Sequence, residues 1–136
     1  MHIRTLQSLP RPVNVLTTHS AWLFSSLVLG RNGVLSGNGS VIADLQAALF
    51  EAVRANDLAA ARALNNRIYP LAKVFYADPW ADMHNRMKEA LVLLGRPPRA
   101  VVRPPLVKLT RPEIDRIREA LVESRLLSAK AGRDAV

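Results

Sequence analysis

Polar side chains that could take part in catalysis follow each of two apolar runs. Residues 17–19, Thr-Thr-His, end the first run, and residues 37–40, Gly-Asn-Gly-Ser, come after the second. Sheets and barrels of parallel strands place ligand-binding groups at the carboxyl ends of their strands. His19 is therefore a candidate general acid or base. A lone histidine without an identified partner is more often structural, so we favour a packing or capping role.

The glycine-rich loop at residues 37–40 precedes a predicted helix, where backbone N–H groups can bind phosphate. The dinucleotide fingerprint requires glycine at the position where this chain has Ile42, and the lysine of a P-loop is missing. We therefore interpret the loop as a tight strand-to-helix turn rather than as a phosphate site.

The chain has few residues suited to covalent catalysis. A Schiff-base lysine must be held at a lowered pKa in a closed pocket. Lys88 lies on a predicted helix remote in sequence from both strand ends, which favours a salt-bridging or carbonyl-binding role. The other lysines are no better placed, and the two tyrosines share one helical segment; these are Lys73, Lys108, Lys130, Tyr69 and Tyr76. We predict no catalytic residue.

Metal and cofactor sites are not indicated. The chain has no cysteine, which excludes disulfides, thiolate zinc sites and a cysteine nucleophile. Its three histidines, His2, His19 and His84, are too scattered to predict a metal site. We expect neither metal nor cofactor.

The elements that must position these groups begin with a strand at residues 13–17, a helix at 21–29 ended by Gly30, and a second strand at 33–36. Two strands with a crossover helix between them predict a parallel sheet. An amphipathic helix then runs from about Asp44 to Val53, because apolar residues recur there at helical spacing. The class is therefore α/β.

Three further helices are predicted, and no further strand. Asn56 ends one helix and Asp57 caps the next, in which Pro70 should cause a kink or a break. Asp78-Pro79 predicts the start of the third helix, which ends at Gly95.

A proline-rich connector covers residues 96–109. Residues 110–113, Thr-Arg-Pro-Glu, predict a capping box for a last helix that buries Ile114, Ile117 and Leu121. Residues 1–12 are interpreted as a lead-in, and residues 128–136 as a frayed tail.

The net charge is +8, and residues from Arg96 onward include ten basic and five acidic side chains. A basic tail can bind nucleic acid, but no Lys/Arg run reaches five and aromatic residues are sparse there, so a solvated helix face is favoured. No apolar segment is long enough to span a membrane, and no signal-peptide region is present. The lack of acidic residues before Asp44 can indicate a transit peptide, but residues 13–17 fit a strand better. The absence of cysteine fits a cytoplasmic protein, which we expect.

Four motifs occur in an order that is typical of one family. They are residues 33–39 (Gly-Val-Leu-Ser-Gly-Asn-Gly), 56–62 (Asn-Asp-Leu-Ala-Ala-Ala-Arg), 87–95 (Met-Lys-Glu-Ala-Leu-Val-Leu-Leu-Gly) and 102–106 (Val-Arg-Pro-Pro-Leu). With them, the chain resembles the dihydrodipicolinate synthase / N-acetylneuraminate lyase family from about residue 13 to residue 127.

The resemblance implies a (β/α)8 TIM barrel followed by a helical extension, and class I aldolase-type chemistry on pyruvate or related 2-keto acids. The chain would supply the last two strand-helix units in residues 1–55, a three-helix extension in 56–128 and a tail in 129–136. The family's Schiff-base lysine on the sixth strand and its tyrosine on the fourth would precede Met1. We therefore expect the chain alone to be inactive.

Two substrate-binding residues carry over from the resemblance. Leu35 matches the eighth-strand position whose backbone carbonyl faces the keto acid. Thr18 matches a seventh-strand position that is commonly glycine, and this departure leaves the substrate open. Residues 82–88 also resemble members that act as sugar-acid dehydratases or aldolases.

The implied partners are a 2-keto acid such as pyruvate, bound only when the rest of the barrel is supplied, and either further copies of this chain or a complementing N-terminal chain. Two strands without their neighbours predict a helix-rich chain that associates with itself or is partly molten, unless a partner supplies the rest. A non-catalytic helical interaction module and, with less support, a basic nucleic-acid-binding protein remain as alternatives.

Overall fold

A computed structural model describes residues 8–11 and 13–129 of the chain. The chain forms two compact units, Met1–Asn65 and Asn66–Val136, and the boundary between them lies within one helix. The predicted lead-in and tail fall largely outside the described residues. No helix among the described residues is long and apolar enough to cross a membrane.

The first unit contains a parallel sheet of two short strands, β1 (Leu16–Thr17) and β2 (Gly33–Val34). Leu16 pairs with Gly33 and Thr17 pairs with Val34, which confirms the predicted parallel order. The strands are shorter than predicted. At Val15 only the carbonyl joins the ladder, where it accepts the Asn32 N–H at 2.9 Å, because the Val15 N–H donates to the Asn32 side-chain Oδ1 at 2.9 Å.

The connection between the strands is a 3-10 turn, Ser20–Trp22, followed by α1 (Leu23–Val28). The helix predicted at residues 21–29 therefore lies where expected, but its first two residues belong to the 3-10 turn. Gly30 has a φ of 90° and ends this segment as predicted, since a left-handed conformation suits glycine.

Helix α2 (Gly39–Arg54) begins five residues before the predicted start at Asp44. Ile42 interrupts it with φ −129° and ψ 37°, so an initial turn joins the main helix at a kink. The core of this unit consists of apolar side chains from the region of β1 and from the helices: Val15, Leu23, Leu27, Val41, Ile42, Leu45, Leu49 and Ala61.

Helix α3 (Leu58–Phe75) starts as predicted. Asn56 has a positive φ of 58°, and the Ala60 N–H donates to Asp57 Oδ1 at 2.9 Å. The helix continues through Pro70, so a break there was the wrong prediction. Pro70 is buried beside the core residues Ile68 and Leu71. The free energy gained by this packing exceeds the cost of the backbone hydrogen bond that proline cannot make.

Asp78-Pro79 does not begin an α-helix, contrary to the prediction. A 3-10 turn, Trp80–Asp82, comes first, and α4 (Met83–Leu93) follows it. The reason is Arg86, a buried side chain of α4. Its guanidinium donates to the carbonyl groups of residues 77–79 and holds them outside the helix. Gly95, with φ 72°, ends α4 as predicted.

The connector at residues 96–109 has neither helix nor strand, as predicted. Helix α5 (Arg111–Glu123) has the predicted capping box, in which the Thr110 N–H donates to Glu113 Oε2 at 3.1 Å. Ile117 and Leu121 are fully buried, whereas Ile114 is only half-buried and does not belong to the core. Helices α4 and α5 pack against each other.

Candidate ligand site at the carboxyl ends of the strands

The two polar runs singled out in the sequence meet at one end of the sheet. Because β1 and β2 are parallel, the residues after Thr17 and after Val34 leave the same edge. The residues that border these runs are in contact, because Ser20 Oγ lies 3.3 Å from Ser36 Oγ although 16 residues separate them in sequence. The carboxyl ends of the two strands therefore lie side by side, as the parallel pairing requires.

Two amides complete a polar cluster there. Asn38 Nδ2 donates to Ser20 Oγ at 3.1 Å, and Gln46 Nε2 donates to Ser36 Oγ at 3.3 Å and to Ser20 Oγ at 3.5 Å. Ser20 and Asn38 are 1% and 0% exposed. The cluster ties the loop after each strand to α2, and so fixes the path of the backbone at the sheet's edge.

The sequence did not identify Ser20 or Gln46 as part of this site. A signal was present for Gln46, which lies three residues before the core residue Leu49 and so on the buried side of α2. The cluster contains hydroxyls and amides but no ionisable group. It can orient a ligand through hydrogen bonds, and Asn38 Oδ1 is buried with no partner among the described residues.

His19 has a structural task. Its Nδ1 accepts the Ala21 N–H at 3.2 Å, which caps the 3-10 turn that follows β1. The structure thus gives His19 the capping role that was favoured over catalysis.

The loop at residues 37–40 consists of successive turns. The N–H groups of Gly39, Ser40 and Val41 donate to the carbonyls of Ser36, Gly37 and Asn38 at 3.0, 3.1 and 2.9 Å. These groups are the ones that a phosphate would need at a helix N-terminus. Since they are bonded within the loop, the geometry agrees with the turn interpretation.

Thr18 and Leu35 lie at this edge but outside the polar cluster. Thr18 is exposed, and Leu35, which is 69% exposed, donates its N–H to the Thr17 carbonyl at 2.8 Å. This bond extends the ladder and orients the Leu35 backbone. The substrate-binding roles of both residues stay predictions.

The sheet has one covered and one open face. Leu16 lies over its partner Gly33, where an added Cβ would come within 3.1 Å of Leu16 Cδ2, and Leu16 is 46% exposed. Thr17, on the opposite face, is 5% exposed. Strand alternation places Leu35 on the same side as Gly33. We call Leu16, Gly33 and Leu35 the open face.

A cleft of about 560 Å³ adjoins β2 and α2. Its lining is mainly apolar, with Ser36 and Gln46 of the polar cluster at one side: Asn32, Gly33, Val34, Leu35, Ser36, Gly39, Ala43, Gln46, Ala47 and Phe50.

The described lysines lie away from the strands in sequence. Lys88 Nζ donates to the Val101 carbonyl at 2.7 Å, which confirms its predicted carbonyl-binding role. Lys73 is exposed on α3, and Lys108 is exposed in the connector. Among the residues that the structure describes, no group of three or more His, Asp and Glu side chains could hold a metal ion.

The second unit contains a buried charge that the sequence did not reveal. Arg86 is 3% exposed, and its guanidinium donates to the carbonyls of Phe75, Ala77, Asp78 and Pro79 and lies 3.8 Å from Glu113. The backbone N–H of Thr110 lowers the pKa of Glu113 most, followed by the Thr110 hydroxyl, and the positive charge of Arg86 lowers it further.

Comparisons with known proteins all match the chain to one family. The family model described as the dihydrodipicolinate synthetase family matches residues 1–124. YagE of Escherichia coli K12, named as a 2-dehydro-3-deoxy-D-gluconate aldolase, is 28% identical over 124 residues, which are 91% of this chain and 40% of YagE. The 4-hydroxy-tetrahydrodipicolinate synthase of Moorella thermoacetica is 35% identical over 103 residues, which are 74% of this chain and 33% of that enzyme.

Solved structures of proteins from this family are also similar to the chain. YagE in complex with pyruvate is 29% identical with a TM-score of 0.74, and the match covers 84% of this chain and 38% of YagE. The dihydrodipicolinate synthase of Bacillus clausii has a TM-score of 0.80 at 21% identity, over 90% of this chain and 42% of that protein, and so supports the fold alone. The chain thus spans between 33% and 42% of the length of these relatives.

Proposed function

The chain belongs to the dihydrodipicolinate synthetase family, and we propose that its residues form part of a lyase that cleaves or condenses pyruvate-type 2-keto acids through a lysine Schiff base. The family match over residues 1–124 carries this proposal. The parallel strands with a crossover helix, β1-α1-β2, support it, because a (β/α)8 barrel is built from such units.

Within such a barrel, β1 and β2 take the places of the seventh and eighth strands. Residues 1–55 are assigned to the barrel, 56–128 to the helical extension and 129–136 to a tail. The element order supports this division, because after β2 the described residues form only helices, turns and the connector.

In Schiff-base catalysis a lysine amine attacks the keto carbon, water leaves, and the protonated imine withdraws electrons from the bond that breaks or forms. We assign Thr18 and the Leu35 carbonyl to the wall of the keto-acid pocket. The hydrogen bond from the Leu35 N–H to the Thr17 carbonyl supports this assignment, since it holds the Leu35 peptide at the carboxyl end of the sheet. The cluster of Ser20, Ser36, Asn38 and Gln46 keeps the surrounding loops in place.

The 136 residues alone do not form the imine in this proposal. None of the described lysines lies on a strand or directly after one, and Lys88 is engaged with the Val101 carbonyl. The lysine therefore comes from barrel strands outside this sequence. The substrate class is a pyruvate-type 2-keto acid, which is supported by the pyruvate bound to the relative YagE.

The exposure of the open face is the reason to expect a partner. Leu16 and Leu35 are 46% and 69% exposed there, and a sheet of two strands is marginal when one face is open to water. We propose that this face is covered by the remaining barrel strands, supplied by a complementing polypeptide, or by association between copies of this chain. Size-exclusion chromatography with light scattering separates a monomer from either assembly.

Borohydride trapping with pyruvate, read by intact mass, tests the function. The purified chain is measured alone and mixed with a YagE fragment that lacks the part matched by this chain. We expect no adduct on this chain, and an adduct on the YagE fragment that increases when the chain is added.

Full-length YagE is the positive control, and each protein without pyruvate is the negative control. An adduct on this chain alone would contradict the assignment of its lysines to non-catalytic roles. An unchanged adduct level in the mixture would contradict the proposal that the chain completes a barrel.

A further inference from the structure

A second cleft, of about 510 Å³, lies between α4 and the proline-rich connector. It is distinct from the strand ends, because all of its described lining residues belong to the second unit: His84, Asn85, Lys88, Val102, Arg103, Pro104, Pro105 and Leu106. Neither the proposed lyase reaction nor the polar cluster uses any of these side chains.

The charged side chains that line this cleft are both basic, Lys88 on α4 and Arg103 on the connector side. His84 is four residues before Lys88 and so shares one face of the helix with it. None of the described lining residues is acidic. The Arg103 guanidinium has no ion-pair or hydrogen-bond partner among the described residues, so its charge is available to a ligand.

The cleft is held in shape by hydrogen bonds within the connector and between the connector and α4. Asn85 is 1% exposed and its Nδ2 donates to the Val107 carbonyl at 2.9 Å, which fixes the connector to α4. The Leu106 N–H donates to the Arg103 carbonyl at 3.1 Å and closes the turn around the two prolines. Lys88 is oriented by its bond to the Val101 carbonyl at 2.7 Å and keeps two further N–H donors.

The remaining wall is apolar, formed by Val102, Pro104, Pro105 and Leu106. A free inorganic anion would use the cations but leave this wall in contact with water. An anionic group attached to an apolar body would use both, since burial of apolar surface adds to the charge attraction.

We propose that this cleft binds a small organic anion, in which a carboxylate or phosphate group pairs with Lys88 and Arg103 and an apolar group packs on the proline wall. The site is independent of the Schiff-base reaction. Its ligand is recognised by charge and by a flat apolar surface rather than by keto-acid chemistry.

NMR titration of the full-length ¹⁵N-labelled chain tests the site, with benzoate, phenyl phosphate and acetate as probes at constant ionic strength. We expect saturable shifts of amides within residues 84–106 for benzoate or phenyl phosphate, and weaker binding of acetate, which lacks the apolar body. The tighter of the two aromatic probes identifies the anionic group as carboxylate or phosphate.

Arg103→Gln removes one cation without removing any hydrogen bond of its side chain. It should weaken binding about two- to five-fold, as expected for one solvent-accessible ion pair. The matched control is Arg99→Gln, an exposed arginine of the same connector that does not line the cleft. Unchanged helical ellipticity shows that both variants fold.

Three results would overturn the proposal. They are shifts that do not saturate, acetate binding as tightly as benzoate and phenyl phosphate, and equal weakening by Arg99→Gln and Arg103→Gln. The last result would mean that the probes respond to the net positive charge and not to this cleft.

Discussion

Replacement of Arg86 by methionine should strongly destabilise the second unit. Methionine retains an unbranched side chain but removes every donor to the carbonyls of residues 75 and 77–79. Phe75 is fully buried, so its carbonyl loses the Arg86 bond where water cannot easily replace it, at a cost of about 1–3 kcal/mol.

The three other carbonyls belong to residues 77–79, which are exposed, so water can replace the guanidinium there. We assign them about 0.5 kcal/mol each, at the low end of a net hydrogen bond. The ion pair with Glu113 is long, at 3.8 Å, and adds little. The expected loss in the free energy of unfolding is therefore about 3 kcal/mol, within the range for breaking a buried charged cluster.

Urea unfolding followed by Trp80 fluorescence measures this loss. Trp22 in the first unit is replaced by phenylalanine in all proteins, so that the signal comes from the second unit. With a slope of about 2 kcal/mol per molar urea, the midpoint should fall by about 1.5 M. Arg86→Lys should recover part of the loss, because lysine restores the charge and some donors but not the planar fork.

The control is Arg99→Met, an exposed arginine of the connector in the second unit, which should change stability by less than about 0.5 kcal/mol. If Arg86→Met and Arg99→Met had equal midpoints, the argument that the guanidinium holds residues 75–79 against α4 would be refuted.

Two further substitutions test other contacts. Glu113→Gln should reduce stability more at neutral pH than at about pH 3. The lowered folded pKa of Glu113 stabilises the protein above the unfolded value of 4.5, and this contribution decreases as the pH falls through the folded pKa. Urea midpoints at the two pH values measure this, with Glu119→Gln as control, and a pH-independent difference would disprove it. Gln46→Leu should cost the first unit about 1 kcal/mol, through its bonds to Ser20 and Ser36. Trp22 fluorescence with Trp80→Phe reports this loss, and a loss no larger than that of the exposed control Asp44→Asn would count against the cluster.

The features that the sequence predicted correctly depend on neighbouring residues. Gly30, Asn56 and Gly95 end their helices because each adopts a positive φ, which glycine and asparagine tolerate. The capping box at Thr110 and Glu113 likewise needs only a three-residue spacing. The parallel order of β1 and β2 follows from the connection between them.

The features that the sequence missed depend on distant partners. Arg86 fixes the carbonyls of residues 77–79, so the helix expected at Pro79 begins only at Met83. Gln46 joins the polar cluster through Ser20, 26 residues earlier. Arg86 does not differ from a surface arginine until the chain is folded, and Gln46 is indicated only by its spacing from Leu49 on the apolar side of α2. Asn38 lies in the glycine-rich loop that the sequence singled out, but its bond to Ser20 was not predicted.

The open face links association to catalysis in the proposed function. A polypeptide that covers Leu16 and Leu35 binds only the folded first unit, so at a concentration of about 100 times its Kd it should raise the unfolding free energy by about 2.7 kcal/mol. In the proposed function, the same polypeptide supplies the lysine for the imine. Stabilisation of the Trp22 signal without a trapped adduct would therefore indicate an interaction module, whereas the two effects together, rising with the same midpoint concentration, would indicate a completed barrel. Leu16→Gln should weaken both effects equally, since that side chain takes no part in the chemistry.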